Sequence, residues 1–355
     1  MKILRLVALI LLVPSLGWAD DKDGHMQVVS AAINEAIRPG FTQYADQTAG
    51  LVPQLNDLCE APNETNLAAA RDGFSDALAA WSSVEFFRFG PMAVENRFER
   101  TLFWPDPKGI GLKQIQRLLA EEDQTATTSE SLAGKSVAVQ GMGALEFVLF
   151  GTGSEDLATG GSPFRCDYGR AIAGNLDTIA QELASDWAAD LPILTPGPEN
   201  AAYRNADESL LEIVQTLSTG FEVVGQYKLR PVLGETIEKV RPRRAVFRRS
   251  EMTQRVLQGN IAGLQSLLNA ADFASLLGAL DRDPRILGSV EFEIANAEQT
   301  LDGITDPIQQ VVETEEGWGK LNLLAITMSS VNRTIGERLS AELGLVLGFN
   351  SFDGD

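Results

Sequence analysis

The residue type best placed to do chemistry is a carboxylate in an apolar segment. From Val137 to Gly151, Glu146 is the only ionisable side chain. At 100° per residue, apolar side chains cover all sides of this segment, which predicts a helix buried at the centre of a bundle. A buried carboxylate needs a cation, a metal or hydrogen-bond donors. Glu146 therefore belongs either to a structural ion pair, with Arg88, Arg97 or an arginine of the second half, or to a ligand site.

Two further features accompany this carboxylate. Gly141 and Gly143 each disfavour a helix by about 1 kcal/mol relative to Ala, which indicates that a backbone or a ligand approaches them closely. Glu85 and Arg88 lie three residues apart on a predicted helix that ends at Gly90-Pro91. Their aromatic neighbours predict a half-buried position for this pair.

A basic cluster opposes the overall charge of −20. Lys239 to Arg255 contains six arginines and a single acid, Glu251. Arg244 and Arg248 are four residues apart, which predicts one helix face. The cluster is either an anion or ligand site or a cage for carboxylates of the other half, such as Glu146. Both interpretations place it near an interface between halves, where a cleft would form.

Composition limits the chemistry further. With 44% hydrophobic residues the chain can bury a core, so global disorder is excluded, and its acidity argues against nucleic acid as a partner. A single His, His25, excludes the common zinc enzymes. We expect His25 to lie in a mobile N-terminal segment as a bystander. Any metal site would be built from carboxylates, with Glu146, Glu85 and Asp106 as the candidate ligands.

The elements that position these residues are predicted to be helices. Apolar residues recur at three- and four-residue steps, convincing strand patterns are absent, and loops rich in Gly, Pro, Ser, Thr and Asp separate the segments. The sequence predicts an all-α fold of two packed helical-bundle halves, residues 20–190 and 191–355. An internal duplication is suggested by two similar helix ends, Phe87 to Met92 and Tyr227 to Val232. The helices are predicted over 66–89, 110–120, 137–151, 168–183, 203–227, 247–268, 286–301 and 318–343.

The first 19 residues predict a cleaved secretory signal. Lys2 and Arg5 precede the apolar run Leu6 to Val13, and small residues lead into Asp20. No later segment is long and apolar enough to span a membrane. Export to the periplasm or beyond would allow Cys59 and Cys166 to form a disulfide, with two free thiols as the alternative.

Together these residues resemble the imelysin family over nearly the whole mature chain. The resemblance rests on Trp81 with Phe87-Arg88-Phe89-Gly90-Pro91, Trp104-Pro105-Asp106, Gly141 to Gly151, Arg165-Cys166-Asp167-Tyr168, Arg241-Pro242-Arg243 with Arg248-Arg249-Ser250, and the terminal run from Gly348 to Asp355.

The resemblance implies an exported bacterial protein linked to iron uptake, in a family first described as peptidases. Its signature is Gly-x-His-x-x-Glu; here Gly141 and Glu146 match, but Gly143 replaces the His and cannot ligate a metal. We therefore expect a non-catalytic protein that binds a ligand or metal, iron being possible, and that serves an envelope iron-uptake system. The ligand site would comprise Gly141, Gly143, Glu146, Glu85, Arg88, Trp104, Asp106, Arg244 and Arg248. The alternatives are a metallopeptidase with an altered site and a scaffold protein whose site is degenerate.

Overall fold

A computed structural model describes residues 20–345. The predicted signal segment and the terminal run from Gly348 to Asp355 lie outside the described residues. Every regular element within 20–345 is helical, which confirms the all-α prediction. No helix in this range is long and apolar enough to cross a membrane.

The α-helices are numbered in chain order, and wider π-helical segments extend three of them. The π segments are Ala32–Ile37, Val223–Leu229 and Thr334–Leu339. The α-helices are α1 (Asp20–Ala31), α2 (Arg38–Glu60), α3 (Glu64–Ser82), α4 (Arg97–Thr101), α5 (Ile110–Glu121), α6 (Ser129–Ala133), α7 (Met142–Phe150), α8 (Pro163–Ala188), α9 (Ala206–Glu222), α10 (Arg230–Leu233), α11 (Thr253–Ala270), α12 (Phe273–Ala279), α13 (Arg285–Asp302), α14 (Ile308–Val311), α15 (Glu315–Arg333) and α16 (Ser340–Glu342).

Packing joins the helices into one continuous apolar core. In the first part of the chain, α2 packs against α3 and α8, and α7 packs against α8. In the second part, α15 packs against α9 and α13. Helices α1 and α3 cross to the second part, where they contact α9 and α11, respectively. The boundary near residue 191 stays a prediction, and the structure adds that the first helix packs against helices beyond it.

Several predicted helices agree closely with the structure, and others end elsewhere. Helices α5, α8 and α13 lie where their periodicity places them, whereas the long helical run from Asp20 to Glu60 was not predicted. Helix α3 ends at Ser82 rather than at Phe89. At this end the hydroxyls of Ser82 and Ser83 donate to the carbonyls of Leu78 and Ala80 at 2.7 and 2.8 Å, and such side-chain bonds compete with the helical backbone bonds.

His25 is not in a mobile segment. It lies in α1 with 6% of its surface exposed, and its Nδ1 is 2.9 Å from Oδ1 of Asp207 on α9. The expectation of a loose N-terminus was wrong, because α1 buries apolar residues such as Val28 and Val29 against the second part of the chain.

Candidate functional site

Helix α7 carries the central carboxylate, but it is shorter than the sequence predicted. Val137–Val139 forms a separate 3₁₀ turn, and Gly141, in an extended conformation, caps a helix that begins at Met142. A Cβ atom on Gly141 would lie 2.4 Å from the carbonyl oxygen of Thr101. A neighbouring backbone therefore requires glycine here. Gly143 is exposed, and a Cβ atom there would meet nothing within 4 Å.

Glu146 is 4% exposed and is held by the loop that precedes α11. Its Oε1 accepts hydrogen bonds from the backbone N–H of Arg249 at 2.9 Å, the backbone N–H of Ser250 at 3.0 Å and the Ser250 hydroxyl at 3.1 Å. Its Oε2 is 3.8 Å from the Arg249 guanidinium. The ion-pair alternative with an arginine of the second half is therefore the one that the structure contains. Burial raises the pKa of Glu146, although the bonds from Ser250 and the charge of Arg249 oppose this shift.

The arginine cluster forms this same loop, and not a helix. Pro242–Arg244 is a 3₁₀ turn and α11 begins only at Thr253, so the prediction that Arg244 and Arg248 share a helix face was wrong. Phe247 and Glu251 have positive φ angles of 51° and 61°, which a helix does not tolerate. The Thr253 hydroxyl donates to the carbonyl of Val246 at 2.5 Å, which fixes this turn against the start of α11.

The loop forms one wall of an open cleft of about 660 Å³. Trp104, Asp106 and two residues of α7, the exposed Gly143 and the buried Glu146, also line it. The cleft also contains Tyr227 and Pro231, from the π segment after α9 and from α10. Five cationic side chains and two carboxylates line it; the cations are Lys108, Arg243, Arg244, Arg248 and Arg249.

Asp106 serves the start of helix α5. Its Oδ1 accepts from the backbone N–H of Ile110 at 2.7 Å, and its Oδ2 accepts from the N–H groups of Gly111 and Leu112 at 2.9 and 3.4 Å. These are amide groups that a helix leaves unpaired at its beginning. Asp106 lines the cleft, but its oxygens are already engaged by the backbone.

Glu85 does not line the cleft. It lies in the turn after α3, 3% exposed, and forms an ion pair with the fully buried Lys228 of the π segment. Asn260 on α11 bonds to both partners: its amide donates to Glu85 at 2.5 Å, and its carbonyl oxygen accepts from Lys228 at 2.7 Å. Burial lowers the pKa of Lys228, whereas the charge of Glu85 raises it.

The two remaining aromatic and cationic candidates lie beside this buried pair. Trp104, whose peptide bond to Pro105 is cis, lines the cleft, and the Nζ of Lys228 is 5.8 Å from the centre of its ring. Arg88 is half-buried outside the cleft, with its guanidinium 3.9 Å from the ring centre of Phe98. Burial lowers the pKa of Arg88, and the charge of Glu85 opposes that shift.

The structure therefore brings together only part of the predicted site. Six of its residues line the cleft: Gly143, Glu146, Trp104, Asp106, Arg244 and Arg248. Gly141 lines a smaller cavity that shares Gly143 and Glu146 with the cleft, and Glu85 and Arg88 line neither. The proposed metal ligands Glu146, Glu85 and Asp106 do not converge, and residues 20–345 contain no group of three His, Cys, Asp or Glu side chains that could hold a metal ion. Because the carboxylates are occupied by protein donors, the cleft does not fit a directly ligated iron ion.

Sequence reasoning missed the residues that organise this region. No site role was predicted for Lys228, Asn260 or Tyr227. Arg243, Arg249 and Ser250 were named only within the motif that carries the family resemblance. One available clue was the suggested repeat, which aligns Lys228 with Arg88. The structure places both of these cations close enough to Glu85 for its charge to oppose the lowering of their pKa values by burial.

The two cysteines form a disulfide in the structure. The Cα atoms of Cys59, at the end of α2, and Cys166, in the first turn of α8, are 5.6 Å apart, within the ordinary range for a disulfide. The bridge joins two helices that pack along their length, and both cysteines lie outside the cleft.

Comparison with known proteins agrees with this fold. The chain is 25% identical over 305 residues to the iron-regulated protein A of Synechococcus elongatus, covering 82% of this chain and 79% of the relative. The crystal structure of an imelysin-like protein from Psychrobacter arcticum has a TM-score of 0.77 at 19% identity, covering 92% of this chain and 98% of that chain. A structure described as an iron-regulated protein A precursor from Parabacteroides distasonis has a TM-score of 0.73 at 13% identity, with 88% and 94% covered. These two structures share the fold.

The family assignment rests on the sequence match. Residues 37–329 match the family model described as Imelysin. This range includes most of the helices and all residues that line the cleft. The chain belongs to the imelysin family.

Proposed function

We propose that this protein is an exported, non-catalytic binding protein of iron acquisition, and that its ligand occupies the cleft beside Glu146. The observation that carries the proposal is the position of the family's signature segment. Gly143, which stands where the signature has His, lines the cleft and has open space around it. Glu146 accepts a hydrogen bond from the backbone of the arginine loop that lines the same cleft. The names of two relatives, both iron-regulated protein A, support the link to iron.

A binding role fits the chemistry of the cleft better than hydrolysis does. A hydrolase needs an activated nucleophile or a base that is free to accept a proton. Gly143 supplies no such group, and the Oε1 of Glu146 already accepts three hydrogen bonds. The cleft is lined by charged side chains and by aromatic side chains such as Trp104 and Tyr227, a composition that is typical of a ligand site.

Export is supported by the predicted signal segment and by the word precursor in the description of one relative. Fractionation of the native host, followed by N-terminal sequencing of the mature protein, tests this part of the proposal. We expect a periplasmic protein that begins near Asp20. Recovery in the cytoplasm with residues 1–19 still attached would contradict export.

The iron link and the cleft are tested together by complementation of a deletion strain. Under iron limitation we expect the deletion to lower cellular iron, and the wild-type gene to restore it. Gly143→Trp fills the cleft without requiring the backbone to move, because a Cβ at Gly143 meets nothing within 4 Å, and this variant should fail to restore iron. Gly288→Trp is the matched control, because Gly288 is an equally open, exposed position on α13, away from the cleft.

The two possible failures separate the two parts of the proposal. A deletion strain with normal iron content would overturn the role in iron acquisition. A Gly143→Trp variant that restores iron as well as the wild type would keep that role and remove the cleft as its site.

A further inference from the structure

The cleft has an imbalance of charge that the fold itself does not use. Its two carboxylates are committed to the protein, Glu146 to the loop and Asp106 to the start of α5. Of the cluster's arginines, Arg249 pairs with Glu146, and Arg255 pairs with Asp76 at 2.6 Å. The sequence alternative of arginines that cage carboxylates therefore accounts for these two only.

Besides Arg241, which does not line the cleft, Arg243, Arg244 and Arg248 remain. All three line the cleft, and within residues 20–345 their side chains have no carboxylate within ion-pair distance. Burial lowers the pKa of Arg248, and the charges of Arg249 and Arg243 lower it further, whereas the charge of Glu146 opposes this shift. In a chain with 49 acidic residues, three neighbouring arginines without an acidic partner are an unfavourable arrangement that a bound anion would relieve.

The loop is also built to keep these arginines in place. Glu146 fixes its backbone at residues 249 and 250, Gln309 donates to the carbonyl of Arg248 at 3.3 Å, and the positive φ angles of Phe247 and Glu251 set its turns. Non-glycine residues adopt such angles at a cost, and they persist where the surrounding structure enforces them, often at binding sites. Glu146 is thus a positioning residue for the arginine wall.

The size of the cleft narrows the class of anion. About 660 Å³ is the volume of a site for a small organic ligand, and a single phosphate or sulfate would fill little of it. Arginine guanidinium groups bind carboxylates through paired N–H donors, and several arginines spread along a loop suit a ligand with several separated carboxylates. The net charge of −20 would repel a long polyanion, so a small ligand is favoured.

We propose that the cleft binds a small polycarboxylate anion through Arg243, Arg244 and Arg248, either free or as its negatively charged ferric complex. This inference rests on the proposed function, because it names the ligand class of the same cleft. The carboxylates of the ligand carry the iron, and the protein contacts the outer face of the complex.

Calorimetry of the full mature protein tests the inference with three probes: citrate, ferric citrate and inorganic phosphate. We expect one or both citrate forms to bind with one site per chain, and the affinity to fall as salt is added. Arg244→Ala and Arg248→Ala should each weaken binding about tenfold or more, and Arg244→Lys, which keeps the charge but not the paired donors, should weaken it less. Arg255→Ala is the matched control, because Arg255 is a cation of the same segment that pairs with Asp76 outside the cleft.

Arg244 is exposed, so its replacement should leave the melting temperature unchanged; the melting temperature is measured for each variant, including that of the half-buried Arg248. Binding confined to ferric citrate identifies the iron complex as the source, and binding of citrate alone identifies the free anion. The inference would be overturned if neither citrate nor ferric citrate binds, or if only phosphate binds. It would also be overturned if the arginine variants bind with the affinity of the wild type. The iron phenotype of the deletion strain would stand in each of these cases, so the proposed function fails or survives independently.

Discussion

The buried pair of Glu85 and Lys228 gives the sharpest test of how the two parts of the chain are joined. Glu85 follows α3, Lys228 follows α9, and their side chains are 3% and 0% exposed. Asn260 is the only other hydrogen-bond partner that the structure gives Lys228 among the described residues. We predict that Glu85→Gln and Lys228→Met each destabilise the protein strongly, whereas the double variant is much less affected than the sum of the two.

The magnitude follows from the burial of both charges. Removing one partner of a buried ion pair leaves an uncompensated charge and typically costs about 3–5 kcal/mol, a large part of the 5–15 kcal/mol that stabilises an ordinary domain. Asn260 offers each survivor one hydrogen bond but no charge. In the double variant neither charge is present, so we expect a coupling free energy of about 1–3 kcal/mol.

The pH dependence of Glu85→Gln has a defined sign. Burial lowers the pKa of Lys228, and Glu85 is the group that raises it, so the variant lowers this pKa further. Between the lowered value and the ordinary lysine pKa of about 10.4, the unfolded chain binds more protons than the folded one, and stability rises with pH. The deficit of Glu85→Gln relative to the wild type should therefore shrink as the pH is raised from neutrality towards that value.

Urea denaturation of the wild type, both single variants and the double variant provides the free energies. Glu235→Gln is the control, because Glu235 pairs with Lys239 on the surface, where both side chains are at least 60% exposed and little change is expected. Single variants that lose less than about 1 kcal/mol, as surface pairs do, would refute the reasoning. Purely additive losses in the cycle would refute the pairing itself.

Three further predictions concern the motif helix and the disulfide. Gly141→Ala should lose about 1–3 kcal/mol, because its Cβ would lie 2.4 Å from a backbone carbonyl, whereas Gly143→Ala, with open space, should gain up to about 1 kcal/mol in thermal denaturation. Burial raises the pKa of the Glu146 carboxyl, so the free energy of unfolding of the wild type falls as the pH rises through the ordinary glutamate pKa of about 4.3. Glu146→Gln removes this carboxyl, and denaturant titrations at several pH values should show the stability of the variant rising relative to the wild type over that range. Thiol titration of the denatured, unreduced protein should find no free thiol, and Cys59→Ser with Cys166→Ser should lose about 2–5 kcal/mol, because the bridge spans 107 residues. Each prediction has an outcome that would contradict the structure. These are a Gly141→Ala variant as stable as the wild type, a stability difference between Glu146→Gln and the wild type that does not vary with pH, and the titration of two free thiols.

The all-α fold was predictable because helix periodicity is a local property. Helices α5, α8 and α13 carry apolar residues at the spacing that buries one face. The ends of α5 and α13 lie within one residue of the predicted ones, whereas α8 extends five residues further at each end. The buried position of Glu146 was predictable for the same reason, because the segment around it is apolar on all sides. Its ion-pair partner was narrowed only to Arg88, Arg97 or an arginine of the second half, since Arg249 lies 103 residues away.

Other features could not be predicted because they depend on contacts between distant segments. Lys228 is 143 residues from Glu85, and a lysine on a periodic helix is ordinarily a surface residue. The periodicity of residues 247–268 predicted one helix, but Phe247 and Glu251 adopt positive φ angles because the loop there wraps around Glu146. Tertiary hydrogen bonds to a buried carboxylate outweigh the helical preference of a few residues.

Three departures from local expectation border the cleft. One is Gly143 within helix α7, and another is the arginine loop with its positive φ angles at Phe247 and Glu251. The third is the π segment that carries Tyr227. Sequences tend to violate local rules at functional or strained sites. Here the three departures lie on segments from both parts of the chain, and each places a cleft residue, which supports the proposal that the cleft binds a ligand. Filling it with Gly143→Trp should therefore impair binding while leaving the free energy of unfolding close to that of the wild type.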